Sequence, residues 1–175
     1  MKEQLIKKNI IYKGKAVDFY CDDIKLQNGQ PAQREYLGHP GAVAVLPFLD
    51  QSNIILVKQY RYPIGKETYE LPAGKLDIGE SPEDCVKREL EEETGFRAKR
   101  IEKMLNFYPS TAFSNEVLHI FAAFGLIKGQ SHPDEDEFVS AVIVNFKKAV
   151  NMVKSGEIMD SKTIIALLYF DNILK

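Results

Sequence analysis

Apolar positions along this chain fall into short runs separated by turn-forming residues. Ala42 to Leu49 (AVAVLPFL) and Ile54 to Tyr60 (IILVKQY) form two apolar strands around the turn Asp50-Gln51-Ser52-Asn53. Ahead of them, Ile10 to Tyr12, Ala16 to Cys21 and Gln33 to Leu37 read as short strands. Asn28-Gly29 supplies a hairpin-type turn between the last two of these. Beyond, Thr68 to Leu71, Ile101 to Phe107 and Val117 to Phe124 read as strands, and Val139 to Phe146 alternates into another. Lys147 to Lys154 and Ser161 to Leu174 read as helices, the second opening on an Asp160 or Ser161 cap.

This order predicts a mixed α+β protein with a sheet core and a few helices. His39-Pro40-Gly41 breaks the chain. Residues 1–40 are therefore expected as a small N-terminal β-hairpin subdomain, and 41–175 as the main domain. The first segment carries many apolar residues for its size, among them Ile10, Ile11, Val17, Phe19, Ile24 and Leu26. It covers either its own core or a second subunit.

Between the strands lies GKLDIGESPEDCVKRELEEETGF, Gly74 to Phe96. Its fixed positions are G-x5-E-x7-R-E-L-x-E-E-x-G-F, filled by Gly74, Glu80, Arg88, Glu89, Leu90, Glu92, Glu93, Gly95 and Phe96. Ser81 can cap a helix, Pro82 suits its first turn, and Glu83 and Asp84 favour its positive end. Gly95 suits the left-handed stop, so a helix is predicted from about Pro82 to Thr94. Glu89 and Glu93 then lie one turn apart on one face, with Glu92 beside them and Val86 and Leu90 as the apolar stripe. Carboxylates crowded on the rim of a buried face call for a cation. Hard oxygen ligands suit Mg²⁺ or Mn²⁺, not a soft metal.

This pattern resembles the Nudix box, the signature of hydrolases that cleave a nucleoside diphosphate linked to another moiety. Weaker segments in matching order are similar to the ADP-ribose pyrophosphatase branch. They include Arg34-Glu35, Gln59-Tyr60-Arg61, Glu70-Leu71-Pro72-Ala73-Gly74, Asn115-Glu116, Asp134-Glu135-Asp136-Glu137-Phe138 and Asp160-Ser161-Lys162-Thr163. The resemblance implies a Nudix α/β/α sandwich with a mixed β-sheet, paired as a homodimer through the N-terminal arm. It implies Mg²⁺-dependent hydrolysis of ADP-ribose to AMP and ribose 5-phosphate.

Carried over by position, the Ala73 carbonyl, Glu89, Glu93 and Glu137 would hold metal, and Glu92 would ligate it or orient water. Glu135 or Glu137 would be the base. Arg88 would brace the glutamates, Arg34, from its own or the partner subunit, would stack on or contact adenine, and Arg61 would face the diphosphate or ribose. Glu70 and Glu116 would meet the terminal ribose. Glu80 reads as a support of the box loop, and His39 as a turn residue. The string Phe107-Tyr108-Pro109-Ser110-Thr111-Ala112-Phe113 departs from the Ser-Pro-Gly-like turn usual in this branch. That leaves GDP-mannose or UDP-glucose as alternative substrates. A binding module that senses ADP-ribose without cleaving it is a further alternative, disfavoured because every box glutamate is present.

Composition narrows the partners. A net charge of −2 with no basic stripe gives no electrostatic reason to expect nucleic-acid binding. The two cysteines, Cys21 and Cys85, show no metal-ligand spacing and read as free thiols in a reducing, cytoplasmic setting. The basic N-terminus is too broken by charge for a signal peptide, and no apolar run is long enough to span a membrane.

Overall fold

The computed structural model describes residues 2–15, 17–130 and 138–174. They divide into two compact units, Met1–Pro40 with Tyr108–Val117, and Gly41–Phe107 with Leu118–Lys175.

The first unit is an antiparallel sheet of β1 (Gln4–Lys7), β2 (Ile10–Lys13), β3 (Asp18–Lys25) and β4 (Pro31–Gly38). β3 pairs with the other three. The β3–β4 turn closes where expected: Leu26 N donates to Gln30 O at 2.8 Å, and Gly29 takes φ +83°. Tyr20 and Tyr36 stack across these strands with ring centroids 5.0 Å apart. Leu5, Ile6, Ile10, Ile11 and Tyr12 on β1 and β2 are all more than half exposed. The segment after Phe107 is tied to β4, with Leu37 N donating to Phe113 O at 2.8 Å.

The second unit holds two sheets. The first runs β8 (Ala73–Lys75), β5 (Ala42–Pro47), β10 (Leu118–Lys128), β9 (Phe96–Phe107), with β5 and β10 parallel. The second runs β11 (Ser140–Asn145), β6 (Asn53–Arg61), β7 (Lys66–Glu70). Its helices are α1 (Pro82–Thr94), α2 (Phe146–Ser155) and α3 (Ser161–Tyr169).

Every residue of β5 is buried, and its side chains serve two cores. Val43 and Val45 join Phe121 and Ala123 of β10 against Cys85, Val86 and Leu90 of α1. Ala42, Ala44 and Leu46 join Leu118 and Ile120 against Phe146, Ala149, Val150, Ala166 and Leu167 of α2 and α3. Strand residues alternate faces, so a strand covered on both faces must be apolar throughout, which is why AVAVLP shows no alternation. The result is the mixed α+β sandwich with a helix layer on each side of the sheet.

Several elements differ from expectation. β8 has three residues including a glycine, and exists because it pairs with β5 at Ala44↔Ala73, Val43↔Gly74 and Ala42↔Lys75. β9 begins at Phe96, not Ile101; its opening residues FRAKR are charged because it forms the edge of the sheet, where charge blocks further pairing. The last helix stops at Tyr169 and continues as a π-helical turn, Phe170–Leu174. Phe170 there packs on Phe48 and Phe146, at centroid distances of 4.6 and 5.6 Å.

Candidate active site

Helix α1 forms from its own caps. Ser81 is the N-cap and its hydroxyl accepts from Asp84 N at 3.1 Å; Pro82 occupies the first turn; Gly95 ends the helix at φ +73°. The buried stripe of Cys85, Val86 and Leu90 turns Glu89 and Glu93 inward with it, leaving them 8% and 6% exposed. Glu93 Oε2 accepts from Ala73 N at 2.9 Å, which joins the helix to β8. Glu89 lies against Gly74: a Cβ at that glycine would sit 1.8 Å from Glu89 Oε1. Only a glycine lets the backbone approach this closely.

Arg88 binds the group together. Its Nη1 donates to Glu89 Oε1 at 2.7 Å and to Glu92 Oε2 at 3.0 Å. Its Nε and Nη2 donate to Glu80 Oε1 and Oε2 at 2.9 and 3.0 Å, and Nη2 also reaches Lys75 O at 3.2 Å. Glu80 Oε2 in turn accepts from Asp77 N at 3.0 Å, so this carboxylate fastens the loop before the helix. Arg88 is the main reason its carboxyl is held down at about 2. Burial pushes the Cys85 thiol up to about 12, and its Sγ–H points to Lys75 O at 3.3 Å. It packs as a protonated, small apolar side chain. Both cysteines are free thiols.

A second charged cluster lies in the same unit. Glu70 is 2% exposed and accepts from Arg61 Nε and Nη2 at 2.8 and 2.7 Å and from Thr68 Oγ1 at 2.6 Å. It also accepts from Lys162 Nζ. Burial pushes the Glu70 carboxyl up, but Arg61, Lys162 and Thr68 outweigh it and hold the group at about 2. Arg61 and Glu70 border a cavity of about 350 Å³.

In the first unit, Arg34 is half exposed and donates from Nε to Glu3 Oε2 at 3.1 Å and from Nη1 to Gln33 O at 2.9 Å. Glu116 Oε1 lies 4.0 Å from His39 Nδ1, while His39 N donates to Asn115 Oδ1 at 2.7 Å. His39 thus has a carboxylate neighbour that the sequence did not reveal. Glu135 and Glu137 lie outside the described residues.

The structure therefore brings together Ala73, Arg88, Glu89, Glu92 and Glu93 around β8 and α1, and pairs Arg61 with Glu70. Asp160 is the helix cap that the sequence offered, whereas Lys162 and Thr163 carry no role in the sequence reading. A signal existed: a lysine in the first turn of a helix opposes the positive end of the dipole and needs a carboxylate partner.

The box donors are carboxylate and backbone oxygens, a set that fits a hard divalent cation. Among the described residues, no trio of carboxylate or imidazole groups already converges in ligating geometry. The Arg88 guanidinium stands between Glu89 and Glu92, and Glu93 faces the Ala73 amide.

Residues 38–167 match the NUDIX domain model, and the chain belongs to that family. Hydrolases of this family use a divalent metal. Among particular proteins, the chain is 44% identical over 171 residues to the ADP-ribose pyrophosphatase of Bacillus subtilis (strain 168), covering 97% of this chain and 92% of the relative. It is 42% identical over 170 residues to a methanol dehydrogenase activator of Bacillus methanolicus, covering 96% and 92%. A solved structure described as an ADP compounds hydrolase superposes with a TM-score of 0.87 at 20% identity, covering 99% of this chain and 95% of that one, and shares the fold. Among the described residues, no helix is long and apolar enough to cross a membrane.

Proposed function

We propose that this protein is a Mg²⁺-dependent pyrophosphatase that hydrolyses ADP-ribose to AMP and ribose 5-phosphate. The observation that carries this reading is the seating of the box glutamates, Glu89 against Gly74 and Glu93 on the Ala73 amide. It occurs in a chain 44% identical to an ADP-ribose pyrophosphatase over nearly its whole length.

When bound, the metal would neutralise charge on the diphosphate and polarise the phosphoryl group under attack. Glu89 and Glu93, with the Ala73 carbonyl and Glu137, are the groups proposed to hold it, and Glu92 to hold or orient water. Arg88 keeps Glu89 and Glu92 in register through its shared Nη1. Glu135 or Glu137 would take the proton from the attacking water. The oxygen of that water adds to one phosphorus, the bridging P–O bond breaks, and each phosphate leaves with its own sugar. Arg61 would meet the diphosphate, Arg34 the adenine, and Glu70 and Glu116 the terminal ribose.

The arm, 1–40, would serve dimerisation and 41–175 catalysis, in the cytoplasm. The exposed apolar side chains of β1 and β2 support a second copy of this chain as the partner. Light scattering at micromolar concentration is expected to give the mass of a dimer; a monomer there would remove that part of the reading.

The test of function is turnover of ADP-ribose, GDP-mannose, UDP-glucose and NADH with Mg²⁺, with products separated by chromatography. Fastest release of AMP and ribose 5-phosphate from ADP-ribose is expected. Preference for another nucleotide sugar would move specificity and leave the reaction type. ADP-ribose binding without turnover of any of them would make the protein a sensor.

A further inference from the structure

Glu70 is held by two cations of unequal freedom. The Lys162 side chain is 10% exposed, whereas that of Arg61 is 45% exposed. Lys162 Nζ bonds Glu70 Oε2 and also Asp160 Oδ1 at 3.0 Å. Asp160 is itself fixed as the N-cap of α3: its Oδ2 accepts from Thr163 N at 3.0 Å and from Thr163 Oγ1 at 2.6 Å. Thr163 Oγ1 then accepts from Leu71 N at 2.8 Å, the residue next to Glu70. Lys162, which also lines the cavity, is thereby pinned from both sides in a mostly buried position. Arg61 borders the same cavity, and among the described residues its guanidinium bonds Glu70 alone, with no second anchor like Asp160.

Removing every cation from a buried carboxylate is costly, because the stranded charge is not rehydrated. With Lys162 in place, Arg61 can leave Glu70 without stranding it. We infer that Lys162 is a positioning residue that keeps Glu70 neutralised, so that Arg61 exchanges between Glu70 and the diphosphate of the substrate. This rests on the reading that Arg61 meets the diphosphate. Without Lys162, Glu70 would compete with the ligand for Arg61.

The probe is inorganic pyrophosphate, which carries no ribose and so does not report on Glu70 as a sugar contact. Its binding to the full chain with Mg²⁺ is measured by calorimetry, with thermal melting to check the fold. Lys162→Met is expected to weaken pyrophosphate about tenfold, the loss of one charge-assisted bond. It should also raise KM for ADP-ribose with kcat held within about threefold. Adding Glu70→Gln to Lys162→Met should restore pyrophosphate binding, because the competing charge is gone. A lysine that merely supports packing predicts no such recovery. Glu70→Gln by itself should bind pyrophosphate at least as tightly as the unaltered protein, a result that does not depend on Lys162→Met folding.

Unchanged binding in folded Lys162→Met, no recovery in the double variant, or weaker binding in Glu70→Gln would each overturn the inference. Arg61→Ala with unchanged pyrophosphate binding would instead sink the underlying reading of Arg61, and is told apart because Lys162 and Glu70 are intact in that variant.

Discussion

The box cluster and the Glu70 cluster sit in the same unit, yet they handle buried charge in opposite ways. In the first, one guanidinium is shared by Glu80, Glu89 and Glu92, while Glu93 rests on a backbone amide. Among these side chains four carboxylates gather around one guanidinium, an acidic excess that suits the cation proposed for it. In the second, Glu70 and Asp160 face Arg61 and Lys162, and the charges balance within the protein. An imbalance held in place by tight packing fits the metal proposed for it. A balance is structure, able to lend one member only where another stays behind.

The sharpest way to break this contrast is to alter the imbalance. Glu93→Gln keeps an oxygen for the Ala73 amide but removes one negative charge, so the fold is expected to survive and kcat to fall by at least about a thousandfold. Steady-state assays beside a thermal melt check this; normal Mg²⁺-dependent turnover would sink the assignment of Glu93 to metal. Gly74→Ala tests the seating instead of the charge. Its methyl would occupy the space of Glu89 Oε1, so the carboxylate must move. A loss of about a hundredfold in kcat is expected, since misplacing a reacting group by about 1 Å costs that much. Unaltered kcat in a folded Gly74→Ala protein would mean that the position of Glu89 is not critical.

The same contrast explains what could be read in advance. The box cluster is nearly all local: Glu80 to Glu93 lie on one loop and one helix, and Ser81, Pro82 and Gly95 mark that helix from Pro82 to Thr94. Local spacing encodes which side chains share a face, so Arg88, Glu89, Glu92 and Glu93 were legible as a group. Lys162 lies 92 residues from Glu70, and no spacing rule connects them. The strand β8 was hidden for a related reason, since three residues become a strand only because β5 offers its edge. Likewise, the tie between Phe113 and Leu37 joins Tyr108–Val117 to the first unit, although the chain pattern shows just a loop there. The continuous run of β5 was legible as a strand, while the division of its side chains between two cores needed the helices in place.

The balanced cluster should announce itself in acid. Glu70 has an ordinary value near 4.5 and is held at about 2 in the folded protein. A carboxyl depressed on folding stabilises the fold fully above its unfolded value, and that stabilisation fades as the pH falls toward the folded one. Glu70→Gln removes this contribution. It amounts to about 2 kcal/mol once the exposure of Arg61 is allowed for. Urea melts from pH 7 to pH 2 are therefore expected to show the variant less stable than the parent near neutrality, with the two curves converging between pH 4.5 and about 2. Glu80, held at about 2 chiefly by Arg88, keeps its own slope in both proteins, so the difference between the curves isolates Glu70. Parallel curves across that window would mean that Arg61 and Lys162 contribute no net stability through Glu70. The cluster would then have to be explained by what it does for a ligand and not by what it does for the fold.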